Sequence, residues 1–189
     1  MSRIIYAKIA FLLIYSGREL HCGTRIQGHH QRRDYAYLVP KKSVFNRIIG
    51  DSQLELRFAG FLEDCSDVAS FAKNYLAVHF KLDYVNAGGD ISNYYPDFIV
   101  KLSGKWIVIV ETKGQEDLDV PLKMARLSQW CEDINRVQKE VAYDFVYVDE
   151  ESFEKYKPTS FKHLLDGFRE YKGEPYLPLV SPVKYPSYF

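Results

Sequence analysis

The chain has 189 residues, 47% hydrophobic and 26% charged, about one domain's worth of ordinary globular composition, which excludes wholesale disorder. Lysine plus arginine equals aspartate plus glutamate at 25 each, and this zero net charge argues against strong autonomous, nonspecific binding to nucleic acid. The three cysteines, Cys22, Cys65 and Cys131, are odd in number and scattered, so the pattern fits a reducing cytoplasm and not a disulfide scaffold.

The first 16 residues, MSRIIYAKIAFLLIYS, hold an apolar run that starts at Ile4 and is broken by Lys8. It is too short for an ordinary membrane span, and no small-residue cleavage site follows it. It reads as a strand or helix remnant and not as a secretory signal. HCGTRIQGHHQRRD comes next; Cys22 with His29 or His30 fits no common zinc spacing, so a polar loop is expected. Residues 1–33 are therefore set apart as an atypical segment ahead of a domain spanning 34–172.

From Tyr35 the pattern becomes regular. YAYLV reads as a short strand, and KKSVFNRIIGDS as a connection or short helix ending near Gly50. Residues 53–64 carry Leu54, Phe58, Phe61 and Leu62 at helical spacing. Glu55 lies roughly 70° from the centre of that stripe and Glu63 roughly 150° away. Glu55 is thus expected to lean toward a central sheet, or to be a solvated flank residue, while Glu63 points to solvent. A second helix is expected over 67–78, a strand at HFKLDYV, and a turn-rich connector at NAGGDISN. Lys73 and Asn74 either touch a phosphate or cap this element.

Residues 94–114, YYPDFIVKLSGKWIVIVETKG, place Pro96-Asp97 at the start of one apolar run and Glu111-Thr112-Lys113 at the end of the next. Ser103-Gly104 punctuates the two runs, which read as a β-hairpin. If residues 103–105 form a three-residue loop, Leu102 pairs with Trp106 and Asp97 falls opposite Glu111. Paired residues share a face, and Lys113 joins it two residues on. A two-residue loop would shift the register by one and throw Asp97 to the other face. Two carboxylates with the Thr112 carbonyl are hard oxygen donors suited to Mg²⁺, and a neighbouring lysine suits a phosphate or an attacking water. The plain alternative is a surface hairpin whose Glu111 and Lys113 form a solvated ion pair.

After the hairpin a helix is expected from about Pro121 to Glu140, with Leu127, Trp130, Cys131, Ile134, Val137 and Val141 inward. Trp130 belongs to the core. Lys123 and Arg126 in its first turns either contact DNA phosphates or form a solvated face. YDFVYV reads as a strand, and TSFKHLLDGFREY as a terminal helix opened by Thr159 or Ser160. Residues 173–189 form a tail holding four of the eight prolines. The succession is helix, three strands, helix, strand: an α/β class with an αβββαβ core.

PD followed fourteen positions later by E-T-K resembles the PD-(D/E)xK nuclease superfamily, and YYPDFIV, IVETKG and WCEDIN resemble more narrowly the C-terminal endonuclease domain of type III restriction enzyme Res subunits, over about residues 34–172. The resemblance implies a restriction-endonuclease-like core with a central mixed sheet flanked by helices. It implies Mg²⁺-dependent cleavage of double-stranded DNA, with Mn²⁺ as a possible substitute, and matches Asp97, Glu111 and Lys113 to the signature positions. Glu55 matches the acidic residue that family members often carry on a helix ahead of the hairpin. The family's larger part is a helicase-like, ATP-dependent motor, and a companion modification subunit recognises the site. No phosphate loop of the form G-x-x-x-x-G-K-[ST] occurs here, so ATP enters only through a motor outside this chain. The alternative is a catalytically silent nuclease-fold module, or truncated remnant, that docks to such a motor.

Overall fold

A computed structural model describes residues 37–38, 40–74, 78–115 and 117–172. The expectations for residues 1–33 and 173–189, including Cys22, His29 and His30, lie outside the described residues.

Strands β1 (Tyr37–Leu38) and β2 (Ile48–Ile49) pair antiparallel ahead of α1 (Gln53–Asp64). The segment from Lys41 to Gly50 is thus a bridge at Ser43 and a short strand, with no helix in it. Helix α1 starts where Ser52 accepts a hydrogen bond from the Glu55 amide at 3.2 Å and Glu55 accepts one from the Asp51 amide at 3.0 Å. This is a variant of the capping box, in which the Ser52 cap satisfies the Glu55 amide and Glu55 reaches past the cap to the amide of Asp51. Its inner stripe is the expected one, with Leu54, Phe58 and Leu62 buried and Phe61 packed at the margin.

Residues 68–73, expected within a helix, form strand β3 (Val68–Lys73). The strand is held on both edges: it pairs antiparallel with β6 (Phe98–Leu102), and on its other side Phe71 exchanges backbone hydrogen bonds with Lys42 and Val44. Backbone pairing on two sides overrides a local sequence compatible with a helix. NAGGDISN is likewise more than a connector. It contains the turn and second strand of a hairpin, β4 (Leu82–Val85) with β5 (Ile91–Tyr94). The Asn86 side-chain oxygen accepts from the amides of Gly88 and Asp90, and Gly89 takes φ 88°, a left-handed conformation suited to glycine.

The central sheet has the order β3-β6-β7-β8, with β7 at Trp106–Lys113 and β8 at Ala142–Asp149. The first three strands are antiparallel and β8 runs parallel to β7, so the sheet is mixed. In β6 and β7, Phe98 pairs with Val110 and Val100 with Val108; residues 103–105 form the loop, with Gly104 at φ 94°. This is the register in which Asp97 stands opposite Glu111.

Helix α2 (Val120–Val137) provides the crossover from β7 to β8. It ends three residues before Glu140, because the Gln138 side chain accepts from the amides of Glu140 and Val141 and turns the chain. Val137, expected inward, is consequently 77% exposed. Asp119, at the helix entrance, accepts from the Tyr84 hydroxyl and the Ala87 amide, both at 2.9 Å, and ties α2 to the β4-β5 hairpin. Helices α3 (Glu150–Tyr156) and α4 (Phe161–Gly167) follow β8, and Ser160 caps α4. The Asp67 carboxylate also accepts from the Phe161 and Lys162 amides, pinning α4 beside the entrance to β3.

Two cores result. On one face of the sheet, α1, α3 and α4 cover Phe71, Phe98, Val100, Val108, Val110, Val146 and Val148. On the other, α2 and the β4-β5 hairpin cover Ile99, Ile107, Ile109, Phe145 and Tyr147, and Trp130 packs at this margin against Phe80 and Tyr143. Both faces of β6 and β7 are covered, which explains their nearly continuous apolar runs. Among the described residues no helix is long and apolar enough to cross a membrane.

Phe58 is fully buried among Phe61, Phe98 and Phe153, with ring centroids 5.4–5.7 Å apart. Replacing Phe58 by Ala is expected to cost about 3–5 kcal/mol. Replacing Val137 by Ser should stay within about 0.5 kcal/mol. Urea unfolding of both variants checks the pair.

Candidate active site

The open ends of β6 and β7 meet at Asp97, one residue before β6. Its amide donates to the Val110 carbonyl at 3.0 Å, and its carbonyl accepts from the Asn74 amide at 2.7 Å. Its carboxylate turns back on the neighbouring strand, where Oδ2 accepts from the Thr112 amide at 2.8 Å and from Thr112 Oγ1 at 2.7 Å. A side chain here takes the place of a ladder carbonyl. Thr112 continues the α1 face of β7 and Glu111 the α2 face, so Asp97 stands where the two faces meet.

Glu111 is buried on the α2 side and accepts a 3.1 Å hydrogen bond at Oε2 from Tyr94, itself buried at the end of β5. Asp97 Oδ1 and Glu111 Oε1 accept no hydrogen bond among the described residues, so each carboxylate retains an oxygen for a ligand. Burial, with the Asp97 charge beside it, pushes the Glu111 carboxyl well above the usual carboxylate range; Tyr94, Lys123 and Lys113 oppose the shift. Burial raises Asp97 too, against the hydrogen bonds from Thr112 and the charge of Lys73. The Tyr94 hydroxyl is pushed well up by burial and by the Glu111 charge, and stays a proton donor.

The remaining predicted residues divide into two groups. On the α1 side, Glu55 is buried and its carboxylate is held by the Lys73 ammonium, which also lies 3.5 Å from Asp51 and 5.5 Å from the centroid of Phe98. Burial raises the Glu55 carboxyl, and the Lys73 hydrogen bond and charge oppose this. Glu55 therefore comes into the electrostatic neighbourhood of Asp97, with its oxygens engaged by Lys73 and by the capping of α1. Lys73, expected at a phosphate or a cap, is only 3% exposed and presents no surface charge. The Asn74 side chain bonds the Phe80 amide and carbonyl. Glu63, expected in solvent, is half-buried and accepts from the Lys41 and Lys42 amides, both at 2.9 Å, because the chain ahead of β2 folds back over its end of α1.

On the α2 side, the Lys113 ammonium donates to Asp117 Oδ2 at 2.9 Å. That hydrogen bond raises Lys113 and holds Asp117 below the usual carboxylate range. Lys123 lies 3.9 Å from Asp117 Oδ1 and 5.9 Å from the centroid of Tyr84. Arg126 Nε donates to the Asp83 carbonyl at 3.1 Å, which turns it toward the β4-β5 hairpin.

Among the described residues no three His, Cys, Asp or Glu side chains form a group able to hold a metal ion. The donor set that fits a hard cation is smaller: Asp97, Glu111 and the Thr112 carbonyl, with water completing the shell. Sequence reasoning missed Tyr94, the Thr112 hydroxyl, Asp51 and Asp117. One of these had a local signal, since Asp117 lies four residues after Lys113. Comparisons with protein-family models, with curated proteins and with solved structures find no match to this chain.

Between the usual carboxylate range and the higher values of folded Glu111 and Asp97, the native chain binds more protons than the unfolded chain. This contribution to stability is therefore present at low pH and lost as pH rises through the folded values. The metal-free wild type should melt lower at pH 8 than at pH 6. Glu111→Gln should flatten that difference and melt higher at pH 8, by about 2–4 °C for each kcal/mol recovered. Thermal melts in chelator at both pH values test this; an unchanged slope in the variant would count against the site's electrostatics.

Proposed function

We propose that this chain is a Mg²⁺-dependent DNA endonuclease domain that hydrolyses phosphodiester bonds, resembling the cleavage module of a type III restriction enzyme Res subunit. The observation that carries the reading is the β6-β7 register, whose last pair, Phe98 with Val110, brings the next residues, Asp97 and Glu111, to one end of the sheet with Lys113 two residues beyond. The succession α1, β3, β6, β7, α2, β8 supports a restriction-endonuclease-like αβββαβ core, with the β4-β5 hairpin inserted after its first strand.

Asp97 and Glu111 would hold Mg²⁺ or Mn²⁺ with the Thr112 carbonyl. A bound cation polarises the scissile phosphate and lowers the pKa of an attacking water. Thr112 orients Asp97 through two hydrogen bonds, and Tyr94 orients Glu111 through one. Such outer partners fix ligand direction and tune its affinity. Lys113 supplies a positive charge to position water or to counter charge developing on the phosphate. Lys123 and, once released from the Asp83 carbonyl, Arg126 would meet the flanking backbone of double-stranded DNA. Glu55 and Lys73 act from the other face as a buried pair near Asp97.

With zero net charge, the domain would depend for its grip on DNA on a helicase-like motor and a modification subunit in the cytoplasm, with ATP used only by the motor. A second reading, a silent nuclease-fold module docking to that motor, is favoured by the engagement of Lys113 with Asp117 and of Glu55 with Lys73.

A plasmid-nicking assay with Mg²⁺, run on the chain and on an assembly containing it, tests the proposal. Asp97→Asn should bring cleavage to background with little loss of melting temperature, because it keeps the shape and removes one of two neighbouring buried charges. Lys113→Ala should lower cleavage about 100-fold or more while Mn²⁺ still binds. Cleavage that survives in both variants would overturn the assignment.

A further inference from the structure

Asp117 sits in the loop between β7 and α2, in a position set by its own backbone: Oδ1 accepts from the Asp119 amide at 2.9 Å and its carbonyl from the Val120 amide at 3.2 Å. Two ammonium groups reach it from different elements. Lys113 comes from the end of β7, 2.9 Å from Oδ2, and Lys123 from the first turn of α2, 3.9 Å from Oδ1. Both lysines are partly buried, with side chains 27% and 17% exposed, whereas Asp117 is half exposed at 49%. The cations are thus set into the surface and the anion lies over them. Lys113 stands two residues beyond Glu111 on the same face of β7, and both ammonium groups act on the buried Glu111 carboxylate.

A carboxylate offers two oxygens sharing one negative charge, as do the two non-bridging oxygens of a phosphodiester. An ammonium on each oxygen is the arrangement such a phosphate would receive. We propose that Lys113 and Lys123 form a binding site for a phosphate group, and that Asp117 occupies it in the ligand-free chain as an internal competitor. The inference rests on the nuclease reading only for the source of the phosphate; the anion site stands on the two lysines. Binding would exchange Asp117 for the incoming anion and free Lys113 for the role given to it above. Because only a partly exposed ion pair is displaced, the competition is modest and reversible.

The test is calorimetric titration of inorganic phosphate into the full chain in chelator at low salt, for the wild type and Asp117→Asn. Asn keeps the acceptor for the Asp119 amide and removes the charge. Phosphate should bind about threefold to fivefold tighter to the variant. Adding Lys113→Ala or Lys123→Ala to Asp117→Asn should cancel the gain. Asp117→Ser is the second variant should the first melt early. A folded Asp117 variant that binds phosphate no tighter than the wild type overturns the site.

A parallel titration with a short DNA duplex separates the sources: a matching gain supports a nucleic-acid backbone, and a gain for inorganic phosphate alone supports a small phosphorylated ligand. Plasmid nicking is read independently. Tighter phosphate without cleavage by any variant would uphold the anion site and overturn the nuclease reading, whereas unchanged phosphate affinity beside intact Mg²⁺-dependent cleavage would overturn the anion site alone.

Discussion

The three-residue loop at Ser103, Gly104 and Lys105 sets the pairing on which the rest of the domain depends. With Gly104 at positive φ the chain reverses in one step, and every pair from Lys101 with Ile107 to Phe98 with Val110 follows. A slip of one residue would exchange the two faces of β6 relative to β7. Phe98 and Val100 would leave the α1 side, Ile99 would leave the α2 side, and Asp97 would part from Glu111. Packing and site are therefore specified by the same register, and neither can drift without the other.

Burial on both faces also shapes the chemistry of the open end. The apolar layers that hold β6 and β7 continue up to Val110, and the next residue is an acid. Glu111 and Asp97 are charged groups at the margin of a low-dielectric core, supported by few and specific donors: Tyr94 for one, Thr112 for the other. Two like charges held there oppose the compact state, and a divalent cation would relieve both terms at once. The lysines are distributed to match, with Lys73 below the α1 face and Lys113 and Lys123 over the α2 face.

Much of this arrangement was legible in the chain. The stripe Leu54, Phe58, Phe61 and Leu62 determines α1 because helical periodicity and burial agree there, and the hairpin was readable because two runs rich in Val, Ile, Phe and Trp flank a punctuating Ser-Gly. Where the reading failed, distant partners decided the outcome. VASFAK becomes a strand through pairing with β6 and with Lys42 and Val44, segments far from it in sequence. The β4-β5 turn depends on one Asn86 oxygen, and α2 ends where Gln138 caps the next turn, so Val137 never reaches the core. Helical phase aimed Glu55 toward the sheet, but phase carries no information on which side chain meets it there. The buried Lys73 does, and the Asp51 amide makes the carboxylate's other bond. Glu63 shows the same limit, since its partners are the amides of Lys41 and Lys42.

Asp97 replaces a rung of the β6-β7 ladder with its own side chain, so the strand at Thr112 is stitched by a group that can change charge. The Thr112 amide is thereby wired to the state of that carboxylate: its proton resonance and exchange rate would respond to protonation, to a cation and to removal of the charge, with no reporter added. The last rung of the ladder becomes a built-in spectroscopic gauge of the candidate site, readable in a chain that turns over nothing.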